Sequence, residues 1–234
     1  MRLDKYISDS TPYSRKEIKK LIKEGAVAVN DITAAKPDIQ ICESDDVTIN
    51  GEAVNYAKYV YLIMNKPQGY ISATEDRHYK VVTELVPEEY AHYNVFPVGR
   101  LDIDTEGLLV LTNDGVLDHA VTSPKKNVYK RYFARLDRPA EKKDIESFAA
   151  GMKFKEFISK PARLEICDDP HEVYVEIAEG KYHQVKRMFE RVGKTVVYLK
   201  RTGIGGLTLP EGLEPGNLLE IDKNELIMLL GTNK

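Results

Sequence analysis

Apolar residues follow different spacings in the two parts of this chain. Ser14 and Glu17 form a capping-box pattern, and between them and Gly25 the apolar positions recur on one face of a helix. Segments at 26–30 and 45–51 then alternate apolar and polar residues between turn residues, as short strands do. The pattern predicts a small α+β module at residues 1–58.

The remainder, residues 59–234, mixes strand and helix patterns in an irregular order. Strands are predicted at 60–65, 129–136, 163–166, 173–177 and 195–199. Helices are predicted at 117–122, 140–151, 183–192 and 223–230. This order favours an α+β domain with a mixed, mainly antiparallel sheet over repeated βαβ units.

Charge is segregated along the chain. The formal net charge of −3 by itself argues against a nucleic-acid partner, because phosphate binding needs a cationic surface. Residues 1–23, however, carry seven Lys/Arg against three acids, and residues 123–135 carry five Lys/Arg with no acid. Residues 180–201 carry seven Lys/Arg against the single acid Glu190. These basic patches are compatible with nucleic-acid binding.

Several classes of protein are disfavoured. No apolar stretch approaches the roughly 20 residues of a membrane span, and the charged N-terminus is unlike a secretory signal, so a cytoplasmic protein is expected. Cys42 and Cys167 lie outside any C-x-x-C pattern, and the five histidines are scattered. We therefore expect neither a disulfide framework nor a metal site.

A lysine face lies opposite the apolar face of the first predicted helix. Such a face is often only a solvated surface. The longer segment 2–51, with Arg2-Leu3-Asp4-Lys5, Ser14-Arg15-Lys16 and Gly25-Ala26-Val27, resembles the S4 RNA-binding module. The resemblance implies that exposed cations contact the RNA backbone, which positions a protein without reading sequence. The residues expected to do so are Arg2, Arg15, Lys16, Lys19 and Lys20.

The most unusual segment is 99–115, where acidic residues stand directly between the apolar runs 95–98 and 108–111. A solvated turn or a cation site is the ordinary interpretation, although Asn113 occupies the position at which a calcium loop has a bidentate glutamate. The segment G-R-L-D-x-x-T-x-G-L-L-x-L-T-N-D-G resembles the catalytic motif of the RNA pseudouridine synthase family that includes the ribosomal A-type enzymes. Further matches lie at 65–72, 130–132 and 179–188.

The resemblance implies three catalytic residues and no cofactor. Asp102 is expected to be the essential carboxylate, Tyr132 the aromatic stacked on the target base, and Lys186 the cation paired with Asp102. An aromatic on a strand is otherwise most often a packing residue. Lys186 falls at the edge of the apolar stripe of its predicted helix, within reach of a cleft, which favours it over the solvent-facing Arg187. A nearby cation favours the ionised carboxylate that the reaction needs.

Other basic residues are expected along the RNA path, and Arg100, beside Asp102, is the best candidate for contacting the flipped nucleotide. The remaining candidates are Lys66, Lys125, Lys126, Arg131 and Arg187. His183 is a weak candidate for a general base, because no relay partner accompanies it in the sequence. Two rival functions stay open: a glycosidase or nucleoside hydrolase that uses Asp102 and Asp104, and an RNA-binding or ribosome-assembly protein without activity.

The substrate implied by the resemblance is ribosomal RNA. An S4 module with almost no tail after the last predicted helix resembles the small-subunit enzyme, so we expect a uridine of 16S rRNA of the position-516 type. A large-subunit rRNA remains the alternative. The expected partner is a partly assembled small ribosomal subunit, and the expected oligomeric state is a monomer.

Overall fold

The computed structural model describes residues 1–123 and 126–231. The chain divides into two compact units, one of Met1–Val60 with Val86–Val95 and the other of Tyr61–Leu85 with the residues from Phe96 onward. The boundary near residue 58 remains our proposal for the limit between two domains. In the described part of the chain, no helix has the length and hydropathy that crossing a membrane requires.

The first unit pairs helices with a small antiparallel sheet in the order β2-β1-β3-β4. Its elements are α1 (Leu3–Ser10), α2 (Arg15–Lys23), β1 (Val27–Val29), β2 (Ile32–Thr33), β3 (Val47–Ile49), β4 (Glu52–Ala53) and α3 (Glu88–Ala91). The predicted capping box is present, since Ser14 and Glu17 bond to each other's backbone amides. Ile18 and Ile22 are buried in the core, which leaves the lysines of α2 on the outside.

The second unit is built on a mixed sheet whose order, within the described residues, is β11-β12-β10-β13-β9-β5-β15, with β14 beside β13 and β8 beside β9. Its longer strands are β5 (Tyr61–Lys66), β9 (Glu106–Thr112), β10 (Lys130–Leu136), β11 (Arg163–Ile166), β12 (Glu172–Ile177) and β13 (Val196–Ile204). Its short strands are β6 (Tyr70–Ile71), β7 (Lys80–Val81), β8 (Phe96–Pro97), β14 (Leu207–Thr208) and β15 (Leu218–Glu220). In this sheet β9 and β13 run parallel, and the other pairs among the described strands are antiparallel.

Helices and a short 3-10 turn complete the second unit. They are the 3-10 helix Val82–Leu85, α4 (Gly115–Thr122), α5 (Lys142–Ala150), α6 (Gln184–Arg191) and α7 (Lys223–Leu230). The predicted fold class, a small α+β module followed by a domain with a mixed and mainly antiparallel sheet, is confirmed. Sequence patterning missed β15, because three residues are too few to establish a period of two.

Two elements set the geometry of the site. On α6, Val185, Met188 and Phe189 are buried, and Phe189 packs on Phe148 of α5 with ring centroids 4.8 Å apart. Val192, also predicted in this stripe, is half-buried. On β10, side chains alternate between the two faces of the sheet, so neighbouring residues of this strand face different surroundings.

Candidate active site

The loop between β8 and β9 carries Asp102, and buried polar contacts fix its backbone. The hydroxyl of Ser72 donates to the carbonyl of Leu101 at 3.1 Å and accepts from the amide of Leu101 at 3.0 Å. The amide of Gly69 donates to the carbonyl of Ile103 at 2.8 Å. Because all these bonds are made to backbone atoms of the loop, they hold Asp102 in place while leaving its carboxylate available.

Lys66, at the end of β5, supports the same loop from inside the protein. It is 0% exposed, and its Nζ donates to the carbonyl oxygens of Pro67, Asp102 and Thr105 at 3.0, 3.1 and 2.9 Å. Burial lowers the pKa of Lys66 to about 8, although nearby carboxylates act to raise it. The expectation that Lys66 lines the RNA path is therefore wrong, because the amine is enclosed and its three donors are all used.

Asp102 faces two nitrogen-bearing side chains from the start of α6. Nζ of Lys186 lies 3.5 Å from Oδ2 of Asp102, and Nε2 of His183 lies 3.5 Å from Oδ1. Lys186 also donates a hydrogen bond to Oδ1 of Asp104 at 2.6 Å. The structure thus brings Lys186 to Asp102, but this lysine is shared between two carboxylates and lies closer to the second.

The shared lysine also determines the protonation of Asp104. Burial acts to raise the pKa of Asp104, but the hydrogen bond and the charge of Lys186 outweigh it, and the pKa is lowered from its usual value. Asp104 is therefore ionised at neutral pH. Lys186 thus interacts with both carboxylates of the loop rather than with Asp102 alone.

A cleft of about 580 Å³ contains this group of side chains. Tyr132 of β10 lines the cleft and is only 8% exposed, and Leu199 of β13 lies in the same lining. Arg100 lines the cleft as well and is exposed. Asp102, Lys186 and Tyr132 therefore share one concave surface, whose volume falls within the range of small-ligand sites and can hold one flipped nucleoside.

His183 is a residue of this cleft to which sequence reasoning gave little weight. Its φ of 49° lies in the left-handed region, and its ring stacks on that of Tyr182 with centroids 3.8 Å apart. Positive φ at a non-glycine residue is uncommon, and such residues cluster at functional sites. The amino-acid sequence does not report backbone angles, so this signal exists only in the structure.

The turn that presents His183 and Lys186 is fixed by the buried Gln184. Its Nε2 donates to Oε1 of Glu179 at 3.0 Å, and its Oε1 accepts from the amide of Lys181 at 3.0 Å. A buried amide that is satisfied on both sides fixes the backbone around it. The start of α6 is thereby held toward the cleft.

Two basic residues of the expected RNA path lie on the other side of the sheet. Arg131 projects from the face of β10 opposite to that of Tyr132 and forms ion pairs with Glu165 at 2.9 Å and Glu176 at 3.1 Å. Arg131 and Lys126 line a separate cavity of about 1370 Å³ that does not include Tyr132. Their contact with RNA stays a prediction, and it would have to occur on the face of the sheet opposite to Tyr132.

Arg187, expected on the solvent side of α6, is half-buried. Its guanidinium pairs with Glu156 and lies over the rings of Phe154 and Phe157 at 4.9 and 5.1 Å. Arg187 is thus less open than the helical pattern predicted, and its contact with RNA stays a prediction. The expectation for Lys125 concerns a residue outside the described ranges.

The cations expected to bind RNA in the S4 module all lie on its surface. Arg2 forms an ion pair with Asp4 at 2.7 Å. Along α2 the expected residues Arg15, Lys16, Lys19 and Lys20 are all exposed, and so is Lys23. Their contact with RNA stays a prediction, and their exposure is the condition that it requires.

Ser72→Ala is expected to loosen the catalytic loop. The change leaves both the amide and the carbonyl of Leu101 without their buried partner, which typically costs about 1–3 kcal/mol. The free energy of unfolding in urea should fall by that amount. The kcat should fall with little change in affinity for RNA, because both bonds of the hydroxyl are to the backbone of the loop that carries Asp102.

Ser147→Ala is the matched control. The hydroxyl of Ser147 is exposed and donates to the carbonyl of Lys143 at 2.9 Å, one turn earlier in α5. Its removal should change stability by less than about 0.5 kcal/mol. Equal stability losses in the two variants would show that Ser72 does not fix the loop.

The second unit thus places a carboxylate, a lysine and a tyrosine on one cleft, and the first unit has the helices and small sheet of the predicted module. A family model described as RNA pseudouridylate synthase matches residues 60–191, and an S4 domain model matches residues 1–47. The chain belongs to the RNA pseudouridylate synthase family, whose members isomerise uridine in RNA. The predicted enzyme class, an isomerase acting on RNA, is confirmed.

The similarity to known proteins extends over nearly the full chain. An uncharacterized RNA pseudouridine synthase of Bacillus subtilis (strain 168), YtzG, is 43% identical over 98% of this chain and 98% of its own. The ribosomal small subunit pseudouridine synthase A of Haemophilus influenzae is 36% identical over 98% of this chain and 100% of its own. A crystal structure of a pseudouridylate synthase superimposes with a TM-score of 0.69 at 36% identity and covers 98% of this chain and 99% of that one.

Proposed function

We propose that this protein converts one uridine of 16S ribosomal RNA to pseudouridine, with Asp102 as the reacting carboxylate. The observation that carries the proposal is the convergence of Asp102, Tyr132 and Lys186 on one cleft, from the loop before β9, from β10 and from α6. The choice of small-subunit RNA is supported by relatives of that name, including the one from Haemophilus influenzae, which match along their whole length.

The reaction needs no external reagent. The N1–C1′ bond of uridine breaks, the base turns, and a C5–C1′ bond forms, while the proton lost from C5 is balanced by one gained at N1. Asp102 can begin this by attacking C1′ or by removing the 2′ proton to give a glycal. Both routes require an ionised carboxylate, and Nζ of Lys186 and Nε2 of His183 each lie 3.5 Å from one of its oxygens.

Tyr132 holds the base that has been extruded from its stack. Base flipping costs a few kcal/mol, and stacking on an aromatic face offsets part of that cost. The ring of Tyr132 is buried at the wall of the cleft, where a base can lie against it. Its phenol is our candidate for carrying the C5 proton in the last step, and Arg100 is our candidate for contacting the flipped nucleotide.

The remaining assignments concern the setting of the reaction. We assign the substrate to a partly assembled small ribosomal subunit, and the enzyme to a monomer in the cytoplasm. The exposed cations of α2 support binding to an RNA backbone, and a single small patch of this kind suits a structured ribonucleoprotein better than free RNA.

The test is to incubate the protein with small-subunit rRNA, alone and bound to ribosomal proteins, and to map pseudouridine by carbodiimide-stop primer extension. One new stop in 16S rRNA is expected, with a higher yield in the protein-bound RNA. A stop in large-subunit rRNA instead would keep the chemistry and overturn the substrate. No stop in any RNA would favour an RNA-binding protein without activity.

A further inference from the structure

Lys130 is the basic residue of β10 that projects from the same face of the strand as Tyr132, although it is not one of the residues that line the cleft of Asp102. Side chains two residues apart on a strand point the same way, with Cα atoms about 7 Å apart. Arg131 and Phe133 alternate with them and line the cavity on the opposite face. The basic neighbour of Tyr132 that faces the same side is therefore Lys130, a residue not among the RNA-binding candidates predicted from the sequence.

Arg201 lies beside Tyr132 on the next strand, where the register of β10 and β13 pairs the two residues. Arg201 is only 3% exposed, and its Nε donates to the carbonyl of Leu108 at 2.8 Å. Its Nη2 has no hydrogen-bond partner among the described residues. An unsatisfied buried donor on a permanently charged group is unusual, because its desolvation is not compensated.

The charges acting on Lys130 are positive ones. Burial, and then the charges of Arg201 and Lys160, lower the pKa of Lys130 to about 8, and no carboxylate of the described chain contributes. Two buried lysines of the unit have clear internal partners: Lys194 pairs with Asp144 at 2.8 Å, and Lys66 donates to three backbone carbonyls. Lys130 and Arg201 thus form a cationic pair that the described part of the protein does not neutralise.

We propose that Lys130 and Arg201, with Lys160 at the margin, bind a phosphate group of the RNA substrate next to the nucleotide stacked on Tyr132. This inference rests on the proposed function, because it concerns the same substrate. A phosphate supplies the missing negative charge and accepts hydrogen bonds from both side chains.

A bound phosphate would also explain why two cations lie on one face of the sheet without a carboxylate partner among the described residues. Packing two cations together away from acids lowers stability, and such groups persist where function requires them. Replacing Lys130 by a neutral residue should therefore have opposite effects on the two properties: stability should hold or rise, while RNA affinity should fall. A merely structural lysine would lower both or neither.

The experiment compares Lys130→Met with Lys200→Met in the full-length protein. Lys200 is also half-buried and lies on the neighbouring β13, but it lines the cavity on the opposite face. With a 16S rRNA fragment, Lys130→Met should raise Kd about tenfold and reduce the slope of log K against log salt concentration by about one, as expected for one lost phosphate contact. Lys200→Met should change Kd less than about twofold, and Lys130→Arg should restore most of the affinity.

Equal Kd values for the Lys130→Met and Lys200→Met variants would overturn the inference, and so would a fall in thermal midpoint that accompanies a fall in affinity.

A further arm replaces chloride by inorganic phosphate at constant ionic strength. If phosphate raises the thermal midpoint of the wild type but not that of Lys130→Met, and the two proteins bind RNA with the same Kd, the site binds free phosphate. That result would overturn the RNA assignment. Failure of the proposed function is seen separately, as wild-type protein that binds RNA but forms no pseudouridine.

Discussion

Asp102→Asn should lower the rate of pseudouridine formation by at least about a thousandfold, the scale of loss when a reacting side chain is removed. An amide of the same size neither attacks C1′ nor removes a 2′ proton at a useful rate. The loop should keep its position, because its bonds to Ser72, Lys66 and Gly69 are made by backbone atoms. RNA affinity should therefore stay within about threefold of the wild type.

Asp104→Asn is the matched comparison, since it makes the same change two residues further along the same loop. Asp104 takes the shorter bond from Lys186, at 2.6 Å, and its loss frees that lysine for Asp102. We expect a fall of about tenfold or less in single-turnover rate. A loss at Asp104 as large as that at Asp102 would move the essential carboxylate to Asp104 or require both, as a hydrolase-like pair would.

The sequence predicted α6 and the reach of Lys186 because both follow from local periodicity. The apolar residues Val185, Met188 and Phe189 define the buried face, so the direction of Lys186 follows from the helical turn. In the same way, the capping box and the lysine face of α2 are local patterns that the fold leaves unchanged. Where local and tertiary preferences agree, the sequence alone predicts the element and the direction of its side chains.

The errors concern residues whose environment depends on distant parts of the chain. The sequence around Lys66 does not distinguish it from an exposed lysine, because two of the three carbonyl oxygens that accept its hydrogen bonds lie 36 and 39 positions away along the chain. Arg131 and Tyr132 face opposite ways because side chains alternate along a strand, and the same rule places Lys130 on the face of Tyr132. The sharing of Lys186 by two carboxylates depends on loop geometry that periodicity does not specify.

Gly107→Ala should lower the free energy of unfolding by more than about 4 kcal/mol, the exceptional range for a single substitution. Gly107 lies in β9 with a φ of 106°, where L side chains are strained, and it pairs with Arg201 in the parallel contact between β9 and β13. A Cβ at this position would lie 2.2 Å from the carbonyl oxygen of Arg201 and 2.8 Å from its amide nitrogen. Since those atoms belong to the backbone of a central strand, the two strands must move apart.

Gly115→Ala provides the control, because a Cβ there meets nothing within 4 Å and Gly115 begins α4. Urea unfolding should show a change within about 1 kcal/mol for this variant, with stabilisation the expected sign. If Gly107→Ala folds at low temperature, its activity should fall as well, because the separated strands carry Arg201 on one side and the catalytic loop on the other. Similar unfolding free energies for the two variants would mean that β9 and β13 can accommodate a side chain at position 107. The close approach of Gly107 to the backbone of Arg201 would then not be what fixes the catalytic loop.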